Sequence, residues 1–97
     1  MASATGSAEI DFGAAPGSNE ASVAVTGQTG IGATSKASAF IMGDDTTADH
    51  TALDHRYLAA LLGLTCGTPT AGTGFTIYGR SEHKLTGRVA VRWVWVD

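Results

Sequence analysis

The chain has 97 residues, thirteen of them glycine, with a single cysteine and a formal net charge of −3 at pH 7. This is one small domain with one core, too short to hold two βαβαβ halves of a dinucleotide-binding fold together with a substrate site. The acidic balance excludes a general nucleic-acid binder, the lone Cys66 excludes an internal disulfide, and no apolar run reaches the roughly 20 residues of a membrane-spanning helix.

Residues 1–7 are small and polar, which predicts a flexible arm ahead of a single β domain over 8–97. The opening MASATGSAEIDFG has neither the basic segment nor the apolar stretch of a secretion signal, so the chain is expected in a cytosol. Ile10 and Phe12 lie two apart, on one face of a strand. Gly13–Glu20 is a loop by composition. Val23 and Val25 share a face of a second strand, ended by GQTGIG. Residues 37–42 form a third apolar run, closed by the polar GDDTTADHT. Asp54 caps a helical turn over residues 54–60, and Leu62, Leu64 and Cys66 then alternate as a strand. GTPTAGTG is a loop, and Phe75–Arg80 a fifth strand with Phe75 and Ile77 facing inward.

The last strand has the strongest pattern. From Leu85 the odd positions carry Val89, Val91, Trp93 and Trp95, while the even positions begin Thr86, Arg88, Ala90 and Arg92 before turning apolar at Val94 and Val96. Alternation of this kind marks a strand with one buried face. SEHK (residues 81–84) is short enough to join it to the fifth strand as a β-hairpin. Short strands, glycine-rich turns and little helix together predict an all-β, antiparallel sandwich or barrel-like domain.

Three motifs suggest chemistry. TGQTGIG resembles the TGxxxGIG phosphate loop of short-chain dehydrogenases but is one residue short, and Tyr57 is followed at the family's Tyr-x-x-x-Lys distance by Leu61. The ATSKASAF that follows opens a helix poorly, whereas a pyrophosphate needs helix amides. DHTALDH places Asp49, His50, Asp54 and His55 together, yet histidines five apart diverge on either a helix or a strand. The expectation is a solvated loop with capping aspartates. Cys66 has apolar neighbours and no evident base, as a small buried hydrophobe would. The reading therefore assigns no catalytic residue, metal or cofactor.

Self-association is expected instead. Two tryptophans and three phenylalanines look too many for one small core, and charged residues make up only 15% of the chain. Val94, Val96, Tyr78 and Arg92 are the expected assembly surface, above a core of Phe75, Ile77, Val89, Val91, Trp93 and Trp95. The segments IDFGAAPGSNEASVAVTGQTGI, TADHTALDH, AGTGFTIYGR and LTGRVAVRWVW together resemble small β-rich structural proteins in the virions of tailed bacteriophages. That resemblance implies a non-enzymatic capsid decoration or fibre-associated protein. Such a protein would be a homo-oligomer, for instance a trimer, assembling with a major capsid protein or another virion protein in the host cytoplasm. The alternative is a carbohydrate- or receptor-binding module of a fibre or tail, which needs an exposed aromatic such as Tyr78 beside polar loops.

Overall fold

The computed structural model describes residues 2–97. The elements are β1 (Ser3–Asp11), β2 (Ser18–Val25), β3 (Lys36–Phe40), α1 (Ala52–Leu61), β4 (Gly63–Cys66), β5 (Phe75–Leu85) and β6 (Arg88–Val96). The strands form two three-stranded antiparallel sheets, ordered β1-β6-β3 and β2-β5-β4. β1 approaches β2 and β3 approaches β4, so the two sheets wrap one core. Among the described residues the domain is all-β with a single helix.

Alternation on β6 builds that core. Val89, Val91, Trp93 and Trp95 are buried, while the even positions face outward. From the other sheet Phe75 and Ile77 are buried against them, and the Phe75 and Trp93 rings meet edge to face at 5.7 Å and 82°. Each fully buried side chain of this size contributes about 1.5–3 kcal/mol. Trp93 lies directly on the backbone of Gly6, its partner in β1: a Cβ there would stand 2.4 Å from Cζ2 of the indole. The second tryptophan, Trp95, donates from Nε1 to Oε1 of Gln28 at 3.0 Å, which ties the β2–β3 loop over that end of the core.

Several expectations give way. Residues 3–7, expected as an arm, are the first half of β1, paired from Ser3 opposite Val96 to Ser7 opposite Arg92. Small residues suit this position because Gly6 must leave room for the indole. SEHK is not a hairpin loop, since β5 runs through it to Leu85 and the chain turns at Thr86–Gly87. Nor are β5 and β6 partners, for they lie in different sheets. The turn is a corner where Gly87 takes φ +75°, its amide donates to Gly13 O, and its carbonyl accepts from Phe12 N–H. The ribbon of β1 on β6 thus continues as β2 on β5 after a shared bend. The helix is ten residues rather than a turn, held by a capping box in which Thr51 and Asp54 exchange side-chain and backbone bonds. Finally, one chain does bury Trp93, Trp95, Phe12 and Phe75; of the bulky aromatics expected to overfill the core, Phe40 alone is exposed.

Candidate functional site

The DHTALDH segment has a structural task. β3 ends at Phe40, opposite Arg92, and along the same edge backbone groups of Ala90 and Arg88 in β6, and of Thr86 in the turn before it, face side chains instead. Ala90 N–H donates to Nε2 of His55 at 3.0 Å, and Arg88 N–H to Oδ2 of Asp49 at 2.8 Å. Thr47 Oγ1 donates to Arg88 O and His50 Nε2 to Thr86 O, both at 2.7 Å. Four side chains supply what a strand's backbone supplies beside β3. Buried backbone polar groups need such partners, and here each finds one.

His55 is fully buried, and its Nδ1 donates to Thr51 O at 2.8 Å. Because Nε2 accepts an amide, the imidazole is fixed as the Nδ1–H tautomer with no lone pair left for a metal. His50 sits edge-on to it, ring centroids 6.2 Å apart. The five-residue spacing does bring the two rings together, across the loop-to-helix boundary, but each ring is spoken for by backbone. Among the described residues no cluster of three or more His, Cys, Asp or Glu is placed to hold a metal ion.

Charge reinforces the same edge. Arg92 grips Asp45 through both Nη2 (2.6 Å) and Nε (3.2 Å), and this bond holds the Asp45 carboxyl below its usual range. The Arg88 amide and then its side chain do the same for Asp49, and the Thr51 amide does so for Asp54. Cys66 is half-buried, and burial pushes its thiol up, away from the thiolate a nucleophile requires. After the glycine stretch the chain turns at residues 33–35 and enters β3, so the helix amides that would hold a pyrophosphate do not form there.

The surface is where the remaining signals lie. Val94, Val96 and Arg92 share the outer face of the β1-β6-β3 sheet, flanked by Ser38 and Lys36 of β3 and joined by the exposed ring of Phe40. Arg92 is engaged with Asp45 rather than free. Tyr78 is not with them: it stands at the middle of the outer face of β2-β5-β4, on the other side of the molecule. The four residues expected as one surface therefore belong to two.

A third surface went unread. On α1, Leu53, Tyr57 and Leu61 are 61%, 68% and 46% exposed, four residues apart on one stripe, while His55, Leu58 and the capping Leu62 face inward. The readable signals were the T-x-x-D capping pair at Thr51–Asp54 and the repeat of large apolar residues every fourth position. No described helix is long and apolar enough to cross a membrane. Comparison with protein-family models, with curated proteins and with solved structures finds no match.

Proposed function

We propose that this chain is a non-enzymatic structural component of a bacteriophage particle, a decoration protein that joins copies of itself and attaches to the capsid. The observation that carries the reading is the α1 stripe. Three large apolar side chains at four-residue spacing face water on the only helix of the described chain. An exposed stripe of this kind is a packing face in search of a partner helix or groove. A second apolar strip, Phe40 with Val94 and Val96, lies on the outer face of the β1-β6-β3 sheet. A decoration protein needs two contacts, one with its copies and one with the shell, and we assign the first to α1 and the second to this strip. The phage setting is supported by the sequence resemblance, and assembly in the host cytoplasm goes with it.

Light scattering and co-sedimentation with purified capsids test the assignment. The full chain is expected to associate at micromolar concentration and to sediment with capsids. Tyr57→Asp, at a mostly exposed position, should dissociate the copies without changing the circular dichroism spectrum. Val96→Asp should leave the copies associated and abolish capsid binding. A wild-type chain that stays monomeric at high concentration and ignores capsids refutes the proposal.

A further inference from the structure

The outer face of β2-β5-β4 carries an open groove of about 1310 Å³, walled on one side by Ala60 and Leu61 of α1. Small-ligand sites occupy roughly 300–1,000 Å³, so the groove suits an extended occupant. Tyr78 stands at one end of it on the middle strand, 50% exposed. One side of its ring rests on bare backbone, because a Cβ at Gly67 would lie 3.2 Å from Cε2. Directly opposite Tyr78 stand Ser22 on β2 and Thr65 on β4, both exposed and both small. The half-exposed ring thus meets bare backbone near Cε2 and is bordered by hydroxyls.

One pair further along, Arg80 faces Glu20 on β2 and Gly63 on β4. Arg80 Nε is 3.4 Å from Glu20 Oε1, and both side chains are mostly exposed. Their charges cancel, while most of their hydrogen-bonding capacity points to solvent. The amide of Asn19 is oriented by its bond to Ser81 O at 3.1 Å, which leaves its own oxygen free to accept.

From this arrangement we infer a binding site for a neutral saccharide chain. A pyranose presents an apolar C–H face, which stacks on the electron-rich face of an aromatic ring. Its rim of hydroxyls needs donors and acceptors around that ring, and Ser22, Thr65, Glu20 and Arg80 provide both. The mutual neutralisation of Glu20 and Arg80 disfavours a charged ligand. An extended peptide would add as a strand at the outer edge of β2 or β4, away from the face that carries Tyr78. The site lies on the opposite sheet from the proposed capsid contact, and its α1 wall shares Leu61 with the proposed contact between copies.

Titration of the isotope-labelled full chain with neutral oligosaccharides of the glucan, mannan, galactan and N-acetylglucosamine series, followed by NMR, tests this. At millimolar sugar at least one series should shift the backbone amides of Ser22, Thr65, Tyr78 and Arg80. Tyr78→Ala should weaken that binding about tenfold or more, equivalent to about 1.4 kcal/mol, with the rest of the spectrum unchanged. Tyr78→Phe should retain it, and Gly63→Phe, which places a ring beside Arg80, should block it. The inference is overturned if no series shifts those amides, if only anionic saccharides such as polygalacturonate bind, or if Tyr78→Ala binds as tightly as wild type.

Discussion

Two halves of one strand edge are finished in different ways. Beside residues 92–96, β6 is bordered by β3, a backbone partner whose side chains are almost incidental to the pairing. Beside residues 86–90 the start of β6 and the turn before it are bordered by Thr47, Asp49, His50 and His55, reaching in from a loop and the first turns of α1. Both halves satisfy the same amides and carbonyls. The difference lies in what each depends on: the first needs only a chain able to extend, whereas the second needs four particular side chains in place. Residues that look like a metal or catalytic cluster in one dimension are, in three, a substitute for a strand.

The largest effect should come from beneath both halves. Trp93→Ala removes the ring shared by Gly6 and Phe75 and should cost about 3–5 kcal/mol, much of the roughly 5–15 kcal/mol available to a small domain. Denaturant unfolding followed by circular dichroism should then show an unfolded or barely folded chain. If the variant is nearly as stable as wild type, the two halves do not rest on a common core.

A sharper contrast comes from removing one side chain in each half. His55→Ala leaves the Ala90 amide unpaired and opens a cavity at a fully buried position, at an expected cost of about 2–4 kcal/mol. Ser38→Ala on β3, opposite Val94, leaves the backbone pairing intact and should change stability by less than about 0.5 kcal/mol. Equal effects in the same denaturation assay would erase the distinction.

The smallest effect should be seen in acid. Asp49, one of the four side chains, has a folded pKa below the unfolded carboxyl value of about 3.9, held there by the Arg88 amide and side chain. Groups shifted this way contribute stability above the unfolded value, and the contribution fades as pH falls through the folded one. Below about pH 4 the side-chain half should therefore loosen first. Hydrogen exchange at acid pH should show the Arg88 and Ala90 amides losing protection relative to Val94; uniform loss along β6 would argue against it.

How much of this the sequence disclosed depends on the range of the interaction. Alternation from Val89 to Trp95 is a local signal, and it marks the buried face of β6 without knowledge of any partner. The partner itself is not local. Nothing near Ser3–Ser7 reveals a strand, because small polar residues earn that place only when Trp93 lies over Gly6. The short SEHK looked like a turn for want of apolar residues, yet Ser81 is buried and the strand continues past it. Val94, Val96 and Tyr78 are outward-facing by parity alone, but parity cannot say that they sit on different sheets. The α1 stripe is legible in the four-residue spacing of Leu53, Tyr57 and Leu61 only for a helix longer than a single turn.

The pairing of β1 with β6 has a consequence for how the molecule comes into being. Ser3 stands opposite Val96, and the Asp97 amide donates to Ala2 O at 2.9 Å. The central strand of one sheet is synthesised after all the other elements described, and its neighbour before them. Until β6 leaves the ribosome, β1 has no partner to close on, and β5 has no opposing layer to cover Phe75 and Ile77. Such distant pairings carry a large loop-closure cost before any contact repays it, which places folding on the order of milliseconds to seconds rather than microseconds. During that interval the nascent chain exposes its apolar strands, so the yield of folded protein in a crowded cell depends on how quickly β1 and β6 find each other.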